Sequence, residues 1–265
     1  MIGVFDSGIG GLSVLAAIAR TLPTADLTYL ADTAHVPYGP KSDAFIQGRV
    51  LAIGHHLAGQ GCGLIVVACN TATAAAVQAL RAALPQVPVV GVEPGVKPAA
   101  KSSRTQRIAV LATESTARSE RLARLIRTHA SGVEVLIEPC PGWATRVETR
   151  DVHSPEFLAE MQEKVARLLA AGADRLVLGC THYTFLAPLL APLVEGRAEL
   201  VDVADPVARQ TKRLAGASPS SSASGQGRLQ LQATARPEQL RASLTALGLG
   251  WLGERAHDPV RLVAV

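Results

Sequence analysis

Leu64-Ile65-Val66-Val67-Ala68-Cys69-Asn70-Thr71-Ala72-Thr73 is an apolar run that reaches a thiol and then turns at once to small amide and hydroxyl side chains. The run is too short for a helix and rich in β-branched residues, so it reads as a strand buried on both faces, as in parallel sheets. Leu176-Val177-Leu178-Gly179-Cys180-Thr181-His182-Tyr183-Thr184 repeats the pattern. Each thiol therefore falls at the carboxyl end of a strand, where open α/β sheets hold their ligands. If the two halves face each other, the thiols flank one cleft and serve opposite faces of one carbon, one as proton acceptor and the other as donor.

The similarity of the halves extends upstream. IGVFDSGIGGLS begins at Ile2 and IAVLATESTARS at Ile108, a shift of 106 residues, while the cysteines are offset by 111. Each copy gives a short hydrophobic strand, a turn of small polar residues (Asp6 and Ser7; Thr113 and Thr116) and a helix carrying Ser13 or Ser119. Any two βα units share some of this, and the near-equal cysteine offset is what favours duplication.

A chain of 265 residues suits one large or two modest α/β domains, and 48% hydrophobic residues supply real cores. Only 3% are aromatic, which argues against a stacking surface for single-stranded nucleic acid. The net charge of +4 comes from scattered arginines with five lysines, so no nucleic-acid partner is expected. No apolar stretch approaches the roughly 20 residues of a membrane span. Asp6 comes too early for a signal peptide. The expectation is a cytoplasmic protein without a membrane partner, its four cysteines reduced. Cys62 and Cys140 lack a useful neighbouring acid or base and read as structural.

Strands are expected over Ile2 to Phe5, Leu27 to Leu30, Leu64 to Val67 and Val87 to Gly91, then over Ile108 to Leu111, Val133 to Ile137, Arg175 to Leu178 and Leu200 to Val203, with helices between them. One helix follows Ser42, and another starts at Ser154-Pro155-Glu156, a capping hydroxyl, an early proline and an early acid. Alternation at this spacing implies an α/β fold with mostly parallel sheets. Residues 216–227, GASPSSSASGQG, read as a mobile surface loop. LQLQAT and PEQLRASLTALGL, a strand and a helix, are assigned back to the first domain. The expected domains are 1–96 plus about 212–265, and 97–211. The last residues, from Gly253, show no strong periodicity.

The DSGIGGLS turn can hold an anion on its backbone N–H groups, but it matches neither the P-loop nor the dinucleotide fingerprint. Asp6 disfavours phosphate there and suits an ammonium group or the orientation of a base. Pro37-Tyr38-Gly39 would project over the same cleft, with Tyr38 equally suited to packing. Asp32 and His35 read as a surface turn pair, and Glu93 and Glu148 as acids near strand ends. A thiol becomes a useful base or nucleophile beside a helix start or a histidine, and Asn70, Thr71, Thr181 and His182 supply such surroundings. A zinc reading of Cys69, Cys180 and His182 lacks the usual ligand spacing, so no metal is expected. A Cys–His hydrolase would leave the second thiol unexplained.

FDSGIGGLSV, ADTAHVPYGPKS, VVACNTATA, VEPGVKPA, Thr113 with Thr116, CPGW with Glu148 beyond it, and LGCTHYTFL together resemble the glutamate racemases of the cofactor-independent aspartate/glutamate racemase superfamily. The resemblance spans nearly the whole chain. It implies two pseudo-symmetric α/β lobes with the active-site cleft between them. It also implies Cys69 and Cys180 as catalytic thiols, assisted by Asp6, Glu148 and His182. Ser7, Pro37, Tyr38, Gly39, Asn70, Thr71, Thr113, Thr116 and Thr181 would bind substrate. Thr184 stands where the family usually has proline, and Val203 where serine is common.

Racemisation needs a closely held base and a site that stabilises a carbanion electrostatically. The pyridoxal phosphate alternative needs a Schiff-base lysine, and only Lys41 lies near a cleft position, more suited to solvent. The expected function is cofactor-independent two-thiol interconversion of L- and D-glutamate, supplying D-glutamate for peptidoglycan. Aspartate racemisation and non-catalytic amino-acid binding are the rival readings. A homodimer is left open.

Overall fold

The computed structural model describes residues 1–217, 225–256 and 258–265. Two compact units emerge: Met1–Val92 with Ala204–Val265, and Glu93–Val203. The first contains β1 (Ile2–Asp6), α1 (Leu12–Thr21), β2 (Leu27–Ala31), α2 (Asp43–Gly59), β3 (Leu64–Val67), α3 (Asn70–Ala83) and β4 (Val89–Gly91). The second contains α4 (Val96–Ser102), β5 (Arg107–Ala112), α5 (Glu114–Arg118), α6 (Glu120–His129), β6 (Glu134–Pro139), α7 (Trp143–Thr149), α8 (Pro155–Ala170), β7 (Arg175–Leu178), a 3-10 turn over Thr181–Leu186, α9 (Ala187–Val194) and β8 (Glu199–Val201). The chain then returns to the first unit with α10 (Ala204–Ala217), β9 (Leu229–Ala233), α11 (Pro237–Ala246), α12 (Gly250–Arg255) and β10 (Arg261–Leu262).

Every strand pairing is parallel among the described residues. The first sheet runs β10-β9-β2-β1-β3-β4 and the second β6-β5-β7-β8. The order β2-β1-β3-β4 thus recurs as β6-β5-β7-β8, and the duplication seen in the sequence is a duplication of topology. In each sheet the strand leading to a reactive cysteine candidate lies beside the strand ending in the small polar turn: β3 beside β1, and β7 beside β5.

The continuous apolar runs are buried on both faces because helices cover both. Ile46, Val50, Ile53 and Leu57 of α2 pack with Val77 and Leu80 of α3 over Ile65 and Val67. Val96, Ile108, Val110, Leu122 and Val177 form a corresponding core in the second unit. Ser42 caps α2 and Ser154 caps α8, their hydroxyls accepting from Phe45 N at 3.3 Å and Phe157 N at 3.4 Å.

The structure adds β10, a two-residue strand on β9 that the unpatterned tail gave no sign of. It also places α10 against α1 in the first unit, whereas the sequence reading carried the second domain to residue 211. Of the serine-rich stretch read as a mobile loop, residues 218–224 lie outside the described residues. At its described end, Asp26 Oδ1 accepts from Gln226 N at 3.1 Å and, just past it, from Arg228 N at 2.9 Å, fixing the chain as it enters β9. No helix of the described residues is long and apolar enough to cross a membrane.

Candidate active site

In the first unit, Cys69 follows β3 and is itself the N-cap of α3, accepting from Ala72 N at 3.4 Å. A sulphur rarely fills this place, which serine, threonine, aspartate and asparagine dominate. The helix start directs N–H groups at the sulphur and stabilises negative charge on it. Cys69 Sγ lies 4.0 Å from Ser7 Oγ. Asn70 and Thr71, the first residues of α3, are buried, and the Asn70 side-chain amide has no hydrogen-bond partner among the described residues. A buried amide left so is poised for a ligand.

The DSGIGGLS turn departs from its sequence reading. Asp6 Oδ2 accepts from Gly11 N at 2.9 Å and Gly8 N at 3.3 Å, so two of the amides that could have held an external anion hold the chain's own carboxylate. Tyr29 props the turn from below, donating to Gly8 O at 2.6 Å. Gly11 is required by this packing, because a Cβ there would lie 2.6 Å from Asp6 Cβ. Tyr38 is fully buried, between the half-buried Pro37 and Gly39.

In the second unit, Cys180 follows β7 after Gly179, where a Cβ would stand 2.6 Å from Leu111 O. Cys180 Sγ is 3.7 Å from His182 Nδ1, and His182 Nε2 is 2.6 Å from Glu148 Oε1. Burial works against a charged His182, yet the Cys180 sulphur and the Glu148 carboxylate override it and hold the imidazole well above its ordinary value. The thiol, imidazole and carboxylate form a chain able to take up and retain a proton. Thr113 and Thr116 lie at the end of neighbouring β5, Thr113 Oγ1 donating to Thr116 Oγ1 at 3.1 Å. Thr181 is buried beside Cys180.

The Asp/Glu/Hydantoin racemase family pattern matches residues 2–211. The chain belongs to that family. Among its relatives, the glutamate racemase of Pseudomonas aeruginosa is 49% identical over 213 residues, 80% of each chain. Among solved structures, glutamate racemase isoform RacE1 from Bacillus anthracis superposes with a TM-score of 0.88 at 28% identity, covering 100% of this chain and 97% of the other. The Escherichia coli glutamate racemase, solved with L-glutamate and the activator UDP-MurNAc-ala, has a TM-score of 0.84 at 30% identity, with 100% and 98% covered.

Within this racemase-family chain, three supports of the half-sites were not assigned from sequence. Trp143, in the quoted CPGW motif, is buried and packs edge-on against Phe157 and Tyr183 with ring centroids 5.6 and 5.5 Å away. It starts the helix that carries Glu148 and touches the residue after His182, so one helix sets both ends of that contact. Tyr183 Oη donates to Cys140 O at 3.1 Å. Thr184 donates to Asp202 Oδ2 and ties the 3-10 turn to the end of β8. Glu93 is drawn away from a chemical role by a 2.6 Å ion pair with Arg121. No cluster of three or more metal-binding side chains occurs among the described residues.

Proposed function

We propose that this chain interconverts L- and D-glutamate by a two-base mechanism in which each unit contributes one thiol. The observation that carries the reading is the paired topology: two parallel sheets that share one four-strand order, each delivering a buried cysteine just past a strand end with groups that stabilise its charge or share its proton. One thiolate takes the α-proton from one face while the other thiol protonates the opposite face. Cys180, His182 and Glu148 form one acid–base set, and Cys69 with Asp6 and Ser7 the other. Asn70, Thr71, Thr113, Thr116, Thr181 and the Pro37–Gly39 turn hold the substrate. Matched thiols suit a reaction whose substrate and product are mirror images. A hydrolytic nucleophile would need only one.

The reading further assigns the D-glutamate to peptidoglycan synthesis, in the cytoplasm. The test is direct: circular dichroism of L- or D-glutamate incubated with purified protein and no added cofactor. Decay of either signal to zero supports the reading. Conversion of aspartate alone would replace glutamate as substrate, and binding without decay would make the chain an amino-acid-binding protein. Growth of a D-glutamate auxotroph carrying this gene tests the assigned role.

A further inference from the structure

Beside the Cys69 half-site lies a buried ionic cluster of which the mechanism above uses only Tyr38. Asp32, just past β2, is 0% exposed rather than half of a surface turn pair. Its Oδ2 accepts from Tyr38 Oη at 2.5 Å and Arg49 Nε at 3.0 Å. Its Oδ1 accepts from Arg49 Nη2 at 3.0 Å and Thr234 Oγ1 at 2.8 Å, with His35 Nδ1 at 3.0 Å. Arg49 comes from α2, and its remaining Nη1 donates to Val265 O at 2.5 Å.

A carboxylate removed from water is costly unless its charge and lone pairs are met, and a well-packed apolar cluster would join these segments without that cost. What an ion-paired carboxylate adds is direction, since the planar fork of arginine fixes both oxygens. Here one oxygen is aimed at one phenol. Tyr38 shares a core cluster with Phe5, Ala72 and Cys69, so the ring that the carboxylate holds belongs to the surroundings of the thiol.

We propose that Asp32 and Arg49 are positioning residues: Arg49, tethered through Val265, holds Asp32 as a fixed acceptor, and Asp32 holds Tyr38 so that the Pro37–Gly39 turn keeps one geometry against Cys69. The catalytic part of this inference rests on the racemase reading. Arg49 from α2, Tyr38 and His35 from the loop between β2 and α2 and Thr234 from the end of β9 face the carboxylate, and Cys69 lies beyond Tyr38. Burial pushes the Asp32 carboxyl upward, but the bonds from Arg49, Tyr38, His35 and Thr234 win and hold it below its ordinary value. Without Arg49 the burial remains and the strongest opposing partner is gone. Asp32 then takes a proton as pH falls, becomes a donor, and releases Tyr38.

The experiment compares the parent, Arg49→Met and the double variant Asp32→Asn/Arg49→Met. It follows kcat/KM for L-glutamate against pH and the ring ζ-carbon resonance of Tyr38 in tyrosine-labelled protein, assigned with Tyr38→Phe. Arg49→Met should show an acid-side ionisation absent from the parent, with the same midpoint in both readouts and a roughly tenfold to hundredfold loss of kcat/KM below it. The double variant should lack that ionisation. A parental profile in Arg49→Met, its persistence in the double variant, or movement of the resonance without any change in kcat/KM would each overturn the proposal. If Arg49→Met does not fold, Arg49→Lys keeps the charge without the fork and should show a smaller shift in the same direction; a folded Arg49→Lys with parental behaviour overturns it equally. A parent that does not interconvert the enantiomers defeats the racemase reading alone, because the resonance still reports whether Asp32 governs Tyr38.

Discussion

Cys69 and Cys180 differ from Cys62 and Cys140 in what their sulphurs meet, since all four are buried. Burial pushes the Cys62 thiol up to about 11, and it packs beside Gly3 in the core cluster that includes Leu57. Cys140 is also raised by burial, and its thiol donates to Glu138 O at 3.4 Å. Neither thiol is suited to ionise at neutral pH. Replacing Cys69 or Cys180 by alanine should therefore lower kcat for glutamate racemisation by roughly 10³-fold or more, with the fold intact by circular dichroism. Cys62→Ala and Cys140→Ala should keep most activity at a stability cost of about 1 kcal/mol. A Cys140→Ala variant that folds yet is as inactive as Cys180→Ala would reassign the second thiol.

His182 makes folding stability depend on pH. Its folded value lies well above 6.5, so the folded chain binds this proton more tightly than the unfolded one. The resulting stability is fully present below the unfolded value near ~6.5 and is lost as pH rises through the folded value. Glu148→Gln removes a partner of the charged ring. Thermal unfolding should show its largest deficit against the parent below about pH 6.5, narrowing as pH rises. A deficit that grows with pH would mean that His182 is neutral when bonded to Glu148.

At the scale of elements, the interior strands were legible because each needs only a short β-branched run to be buried from both sides. The edge strands β4, β6 and β8 were legible too, and β10 was not. β10 is two exposed residues, Arg261 and Leu262, and carries no apolar pattern to read. The site divided along the same line. Cys180 and His182 are close in sequence, and their surroundings could be anticipated. The burial of Asp32 depends on Arg49, Thr234 and Val265, partners that only the folded first unit assembles. Helix α7 is an intermediate case, its motif visible and its mechanics not. Trp143→Ala should cost roughly 3–5 kcal/mol through lost packing on Phe157 and Tyr183, and it removes the bond from Trp143 Nε1 to Glu160 Oε1 at 2.9 Å. The urea midpoint should fall with an unchanged slope. Racemisation should fall as well under conditions where the variant is still folded, because α7 also sets Glu148 against His182. Full activity of the folded variant would reduce Trp143 to a core residue.

At the scale of the whole molecule, the chain builds one βα unit set, builds a second of the same strand order, and returns to complete the first. Two separate thiol sites follow from that path, and if both act they leave an isotopic signature that a single base would not. If one thiol removes the α-proton and the other supplies the new one, the proton gained by the product never belonged to the substrate. Pure L-glutamate in deuterated water should therefore yield D-glutamate carrying deuterium at the α-carbon. The remaining L-glutamate should stay largely unlabelled at early times, provided the abstracting thiol exchanges with solvent more slowly than the opposite thiol delivers. Proton magnetic resonance of the α-position, after chromatographic separation of the enantiomers, measures both. Starting from D-glutamate should give the mirror result, with L-glutamate labelled and D-glutamate not. Product that keeps the substrate's α-hydrogen would mean one base shuttling between faces, and the duplication of the thiols would then need another explanation.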